Sequence, residues 1–188
     1  MRVTGGRVRG HHLASLRGFQ IRPSSDLIRQ AVFNLIGLEI KGLRVLDLFA
    51  GTGSLGIEAL SRGALEAVFI DNSNQAINLI KKNLKRCGFE ALGLIIKKDL
   101  GRGLPRYSAF IKKRFELVFM DPPYGKAFIP PLLKELSEGK VLSDSSIVVT
   151  ESSKFDCLPS DSGALQLFKE RTHGETRLNL YHYQGAHE

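Results

Sequence analysis

The chain has 188 residues, an ordinary globular composition, two cysteines and a formal net charge of +8. That length suits one domain with its own apolar core. Cys87 and Cys157 lie too far apart in sequence for a disulfide framework or a clustered metal site, which points to a reducing compartment, the cytoplasm, and to no metal. No apolar run approaches a membrane span and no signal-peptide core follows the N-terminus, so no membrane partner is expected.

The charge is unevenly placed. Residues 1–44 carry Arg2, Arg7, Arg9, Arg17, Arg22, Arg29, Lys41 and Arg44 against only Asp26 and Glu39. A concentrated basic segment suggests a polyanionic partner, and nucleic acid is the commonest one. Residues 1–18 scatter Gly5, Gly6, Gly10 and Gly18 among these arginines and read as an adaptable arm, with short strands near 2–4 and 19–21. His11 and His12 are adjacent, so their side chains do not readily converge on one metal, and they read as exposed loop residues. Arg22-Pro23-Ser24-Ser25-Asp26 then opens a helix: Ser24 or Ser25 can cap it and Asp26 suits its positive end. Leu27, Ile28, Ala31, Val32, Leu35 and Ile36 form its apolar face. Two roles stay open for this helix, plain packing on the domain, or packing together with contact of Arg22, Ser24, Ser25 and Arg29 to a ligand or to RNA phosphates.

The centre of the sequence is Asp47-Leu48-Phe49-Ala50-Gly51-Thr52-Gly53-Ser54-Leu55-Gly56. Arg44-Val45-Leu46 before it reads as a buried strand, and 55–62 after it as a helix closed by Gly63. Strand, glycine turn and helix make a nucleotide-binding crevice at the carboxyl end of a parallel strand. Gly51 allows the turn, Gly53 lets backbone approach a ligand, and Gly56 lets the helix pack close to the strand. Gly51-x-Gly53-x-x-Gly56, with Asp71 20 residues after the first glycine, also matches the dinucleotide fingerprint. Asp47 argues for a different ligand. A carboxylate on a buried strand is costly unless paired; it would repel a pyrophosphate but attract the ammonium and sulfonium of S-adenosylmethionine (SAM).

Residues 67–71 form a second strand ending in Asp71, placed to accept hydrogen bonds from ribose hydroxyls. Ser73 can cap a helix with Ile77, Ile80 and Leu84 inward, ending at Gly88; Lys81, Lys82, Lys85 and Arg86 read as its solvated face. A third strand at 92–96 leads to Asp99, which either meets an adenine edge or serves as a turn or cap aspartate. A fourth strand at 116–120 runs into Asp121-Pro122-Pro123-Tyr124, followed by a helix near 128–138 and a fifth strand at 146–150. Residues 152–163 read as a polar loop, and 165–169 and 176–183 as two late strands. In the last, Leu178 and Leu180 alternate with Arg177, Asn179, Tyr181 and Tyr183. The alternation of strands and helices predicts a doubly wound, Rossmann-like α/β sheet with an antiparallel closing pair.

Asp121-Pro122-Pro123-Tyr124 suits chemistry on an exocyclic amine. The amine lone pair of a base is delocalised into its ring. Two acceptors, the Asp121 carboxylate and the Pro122 carbonyl, can hold its two N–H groups and turn the lone pair towards a methyl donor. Pro123 stiffens that aim, and Tyr124 offers a stacking face for a flipped or single-stranded base.

Taken together, these motifs resemble the RsmD-type bacterial 16S ribosomal RNA guanine-N2 methyltransferases, within the wider group of SAM-dependent amino methyltransferases. The resemblance runs over nearly the whole chain, from Gly5-Gly6 and Arg9-Gly10 through Arg22 to Asp26, Arg29 and Phe33-Asn34, the central loop and Asp121 to Tyr124, to Gly174-Glu175-Thr176. It implies a seven-stranded class I methyltransferase sheet as residues 41–188, with residues 1–40 as a basic RNA-contacting arm and helix. It implies SAM held by Asp47, Phe49, Ala50, Gly51, Thr52, Gly53, Ser54 and Gly56, with Asp71 and Asn72 at the ribose and Asp99 and Leu100 at the adenine. Asp121, Pro122, Pro123 and Tyr124 would bind the target amine, and Arg2, Arg7, Arg9, Arg22 and Arg29 the RNA. The expected partner is ribosomal RNA in the assembling small subunit, met by a monomer. The alternatives are a DNA adenine-N6 or cytosine-N4 amino methyltransferase, and a non-catalytic nucleotide- or RNA-binding module.

Overall fold

A computed structural model of the chain describes residues 1–15, 24–106, 110, 114–123 and 125–185; within the first helix, side chains are described from residue 26 on. The elements are α1 (Ser24–Ile36), β1 (Arg44–Leu48), α2 (Ser54–Ser61), β2 (Glu66–Asp71), α3 (Asn74–Cys87), β3 (Gly93–Lys97), β4 (Phe115–Met120), α4 (Ile129–Glu138), β5 (Leu142–Ser153), β6 (Asp161–Ser162), β7 (Leu165–His173) and β8 (Thr176–Tyr183). The strands form one sheet in the order β3-β2-β1-β4-β5-β8-β7-β6. β1 to β5 run parallel, and β8 returns antiparallel to β5. Eight strands stand where seven were expected. The extra one is the two-residue β6, which folds from the segment read as loop and edges β7. No helix among the described residues is long and apolar enough to cross a membrane.

Side chains from the two sheet faces build two core clusters. One gathers Val32, Phe33, Ile57, Phe69, Ile80, Leu178 and Leu180 with Val3 and Leu13 from the N-terminal segment. The other gathers Leu46, Val118, Leu132, Leu133, Leu136 and Tyr181, with α4 as its cover. Both faces of β8 are therefore buried. Leu178 and Leu180 fill the first cluster as expected, while Asn179 and Tyr181, expected to alternate with them as the polar set, are also fully enclosed. The Tyr181 hydroxyl donates to the Pro159 carbonyl (2.9 Å).

Helix α1 lies rotated from the face its apolar residues suggested. Leu27 is 67 % exposed, and Phe33 is buried with Ile28, Val32 and Ile36. The cause is Arg29, which occupies the buried stripe at i, i+3, i+4, i+7 with Val32, Phe33 and Ile36. It is 3 % exposed. Its Nε donates to Glu58 Oε2 (3.3 Å), and its Nη2 donates to Asp26 Oδ1 (2.7 Å) and to the Arg2 carbonyl. Arg29 is thus corrected from an RNA-facing residue to an internal one, because a buried guanidinium with three acceptors is already spoken for.

Glu58 of α2 is the other half of this arrangement. It is wholly buried and accepts from Thr4 N–H (2.8 Å), Thr4 Oγ1 (2.8 Å), Arg29 and Arg62 (3.0 Å). Around it the N-terminal segment docks rather than hanging as a loose arm. Arg2 bridges to His12 in antiparallel fashion, closing a hairpin. Arg7 N–H donates to the Ser61 carbonyl (2.6 Å), and Ser61 Oγ donates to the Gly5 carbonyl (2.6 Å). Gly6 has φ +76°, and a Cβ there would lie 1.9 Å from the Ser61 carbonyl oxygen, so only glycine lets the hairpin seat on α2. The strand expected near 19–21 lies outside the described residues.

Two stability outcomes follow. Glu58→Ala removes the carboxylate that the buried Arg29 and the part-exposed Arg62 share and costs about 3–5 kcal/mol, read by chemical denaturation, with amide protection of residues 1–13 lost first. At Gly56 an added Cβ would meet Phe69 Cε1 at 2.3 Å, so Gly56→Ala overpacks the α2–β2 contact and costs about 1–3 kcal/mol in the same assay.

Candidate functional site

Strand order β3-β2-β1-β4-β5 puts the direction switch between β1 and β4, where the crevice of an open parallel sheet forms. The register levels the strand ends. Leu48 faces Ile70 on one side and Met120 on the other, and Met120 faces Thr150. The next residues, Asp71, Phe49 and Asp121, therefore leave three adjacent strands at one height, with backbones spaced about 4.8 Å apart. Two loops far apart in sequence open into the same mouth.

The β1–α2 loop is held in shape by its own backbone and by β2. Ala50 N–H donates to the Ile70 carbonyl (3.0 Å), and Gly53 N–H donates to the Ala50 carbonyl (2.7 Å). Asp71 receives Gly51 N–H on one carboxylate oxygen and Ser73 N–H on the other, each at 2.9 Å. Each oxygen is fixed in place and keeps a lone pair for a ligand hydroxyl. Gly51 has φ +55°, as the expected turn requires. Gly53 is glycine for another reason than ligand approach alone: its φ is +77°, and a Cβ would press on Phe69 and Ile80 at 3.3 Å. Phe49 also has positive φ, +59°, and its ring lies 5.2 Å from that of Phe128.

Beneath the loop, Asp47 is 2 % exposed, and its Oδ2 accepts Gly56 N–H at 2.9 Å. Burial pushes its carboxyl up to about 8; the Gly56 hydrogen bond pulls the other way, and the Asp71 charge adds to the rise. A buried acid held near neutrality suits a site that receives a cation, since an arriving positive charge favours the ionised form. The paired acids Asp47 and Asp71 at one glycine loop fit SAM, a cationic nucleoside, better than a pyrophosphate.

Asp99 stands at the carboxyl end of β3 and accepts Gly101 N–H (2.9 Å), capping the short 3₁₀ turn Leu100–Arg102. It is a cap and is also exposed at the mouth, so both roles assigned to it are physically compatible. Leu100 is buried behind it, and Asn72 is exposed after Asp71. Phe128, passed over in the sequence, packs close to Gly101 and against Phe49; an aromatic four residues beyond Tyr124 was its signal. Asn83 was also missed. It is buried on α3 and holds the loop through Nδ2 to the Thr52 carbonyl (2.9 Å) and Oδ1 from Ala14 N–H (2.7 Å). Its signal was a polar residue among Ala76, Ile80, Leu84 and Cys87 on the apolar stripe.

After β4, Asp121 and Pro123 are exposed and Pro122 is buried, so a proline anchors the turn that carries the acid. Tyr124 and Arg22 lie outside the described residues. The surface arginines divide. Arg2 and Arg9 line one recess with Gln30, whereas Arg7 rests over the Phe89 ring at 4.9 Å. Among the described residues no group of three or more His, Cys, Asp or Glu could hold a metal.

Comparison with known proteins agrees with this geometry. The family model described as "Conserved hypothetical protein 95" matches residues 1–182. The "Putative rRNA methyltransferase YlbH" of Bacillus subtilis is 35 % identical over 185 residues, 98 % of this chain and 100 % of that protein. The "Ribosomal RNA small subunit methyltransferase D" of Haemophilus influenzae is 31 % identical over 188 residues, 96 % of this chain and 93 % of that one. Among solved structures, the "Putative methyltransferase yhhF" of Escherichia coli superposes with a TM-score of 0.82 at 27 % identity, covering 98 % of each chain. With the strand order, the loop and nearly full-length matches all in accord, the chain belongs to the conserved hypothetical protein 95 family, that of the RsmD-type methyltransferases.

Proposed function

We propose that the chain transfers the methyl group of SAM to the exocyclic N2 of a guanine in small-subunit ribosomal RNA. The observation that carries this reading is the common height of Asp71, Phe49 and Asp121 at the ends of β2, β1 and β4. That register sets the Asp121 carboxylate beside the glycine loop after β1, which supports reading the acid as the amine-binding group and the loop as the nucleoside site. The names of the relatives supply the class of substrate: the one from Bacillus subtilis is named a putative rRNA methyltransferase and the one from Haemophilus influenzae a ribosomal RNA small subunit methyltransferase.

SAM, when bound, supplies an electrophilic methyl group on a sulfonium. The residues of this chain do the rest. Asp47 and the loop from Phe49 to Gly56 would hold the amino-acid end, Asp71 and Asn72 the ribose, and Asp99 with Leu100 the adenine edge. Asp121 and the Pro122 carbonyl accept the two N–H bonds of the guanine amine and aim its lone pair. Pro122 and Pro123 limit the turn to one backbone course, which lowers the cost of that aim. Tyr124 supplies a face for the unstacked base. As the nitrogen bonds to the methyl carbon, the carbon–sulfur bond would break with its electron pair staying on sulfur, leaving S-adenosylhomocysteine, and the nitrogen gains positive charge. The Asp121 carboxylate stabilises that charge and takes the surplus proton. Arg2, Arg7 and Arg9 would meet the RNA backbone.

Small ribosomal subunits lacking the modification, naked ribosomal RNA and DNA, each incubated with labelled SAM and digested to nucleosides, test the reaction. Label in N2-methylguanosine is the expected result; label confined to DNA bases would replace this reading with a DNA amino methyltransferase. Asp121→Ala is expected to lower methyl transfer by about 10²–10⁴-fold with SAM binding retained, and unchanged turnover would overturn the role of Asp121.

The raised Asp47 pKa has a definite sign. In the ligand-free protein the acid is neutral up to about pH 8, while in the unfolded chain it ionises near 4. Its contribution to stability is fully present below about pH 4 and is lost as pH rises through about 8. Binding of a cation reverses the preference. SAM affinity is therefore expected to rise with pH towards 8, with proton release seen as buffer-dependent heat in calorimetry. Asp47→Asn should abolish that release; a wild-type heat independent of buffer would remove the coupling.

A further inference from the structure

The turn that follows β5 carries an aromatic side chain that packing does not use. Phe155 is 75 % exposed, more than any other large apolar side chain among the described residues. It sits between Lys154 and Asp156, and the Lys154 ammonium lies 4.9 Å from its ring centroid. The turn itself is firmly held. Ser153 N–H donates to Asp156 Oδ2 (3.0 Å), and Asp156 N–H donates back to the Ser153 carbonyl (3.0 Å). Phe155 N–H donates to Ser153 Oγ (3.3 Å). Lys154 N–H donates to the Glu175 carbonyl (2.9 Å), and its Nζ donates to Glu175 Oε1 (2.6 Å). Arg177 of β8 donates to the carbonyls on both sides of Phe155, those of Lys154 and Asp156 (3.1 Å for the second). The ring is thus displayed on a backbone ordered before any partner arrives, which lowers the cost of binding.

The register puts this turn over the reaction mouth. Thr150 of β5 is level with Met120 of β4, so Glu151 is level with Asp121. The ladder between β5 and β8 runs on to Ser153, opposite Thr176, two residues higher. At about 3.3 Å per residue, the turn begins about 7 Å above the level of Asp121 and one strand to the side. Stacked bases along a strand lie about 3.4 Å apart, so that rise spans about two base steps.

We propose that Phe155 is a stacking platform for an unpaired RNA base beside the target guanine, with Arg177 and Glu175 as the residues that position it. The proposal rests on the RNA reading above and deepens it. With Tyr124 facing the target base, a second ring for its neighbour keeps the two from restacking. Every base has a π face, so the platform adds affinity and sets the course of the strand without reading its sequence. The charge of Lys154 is already met by Glu175. The contact made by Phe155 is therefore stacking rather than charge, and its salt response differs from that of an arginine on a phosphate.

The chain contains no tryptophan, so Phe155→Trp places a single fluorophore at the platform. Titration with naked small-subunit ribosomal RNA is expected to quench its emission in step with binding. Phe168→Trp, on β7 two strands away from β5, is expected to keep its emission. Phe155→Ala is expected to weaken binding of the same RNA by about fivefold or more, with the slope of log affinity against log salt unchanged and SAM affinity unmoved. Phe155→Leu keeps apolar bulk without a π face and is expected to bind as weakly as Phe155→Ala. Full rescue by leucine, or Phe155→Trp emission that the RNA leaves unchanged, would overturn the platform. So would a loss seen on assembled particles and absent on naked RNA, which would give the ring to a protein partner. These readouts need no methyl transfer. A wild-type protein that methylates no guanine therefore defeats the proposed reaction, while the quenching still decides the platform.

Discussion

The Glu58 carboxylate is the point on which the two halves of this molecule depend. Alone in a core, a carboxylate is among the costliest groups to bury. Here two guanidiniums, a backbone N–H and a hydroxyl surround it. Those donors come from three parts of the chain: Thr4 from the hairpin, Arg29 from α1, Arg62 from the end of α2. No single part can satisfy the acid, so all three must be in place together. The same α2 begins at the glycine loop that reads as the nucleoside site. The hairpin thereby runs along this eight-residue helix, with Met1 at the glycine loop and Gly5 and Arg7 at the far end.

On the other side of the loop the constraint is the sheet. Parallel pairing in register is what makes two unrelated loops, one after β1 and one after β4, emerge at equal height. The hydrogen bond from Gly51 N–H to Asp71 then ties the loop to the third strand end. Asp47 below and Asp71 above are both acids, and their mutual repulsion adds to the rise in the Asp47 pKa. The chain tolerates that arrangement because Asp47 stays neutral below about pH 8.

Much of this was legible in the residues. The strand, glycine turn and helix at 44–63, the acids closing β2 and β4, and the antiparallel last pair all rest on local patterns, and local patterns carry in sequence. What did not carry depended on partners distant in the chain. Arg29 looked like one more surface arginine because its acceptor, Glu58, lies 29 residues on, and that single pairing turned α1 and pushed Leu27 outward. The hairpin read as a loose arm because its partners, Glu58 and Ser61, lie more than 50 residues away. Tyr181 and Asn179 looked like a solvent face because the cover over them comes from another layer. Gly53 was glycine for its backbone angle and for Phe69 and Ile80, which no spacing rule contains.

The docking of the hairpin also bears on how the protein is made. Thr4 is bonded to Glu58, 54 residues later, and Arg7 to Ser61. At about 5–20 residues per second, a ribosome needs roughly 3–11 s between the two ends of that first contact. During that interval the most basic segment of the chain is synthesised but has nothing to dock on. It waits, positively charged and undocked, until α2 emerges and takes it in.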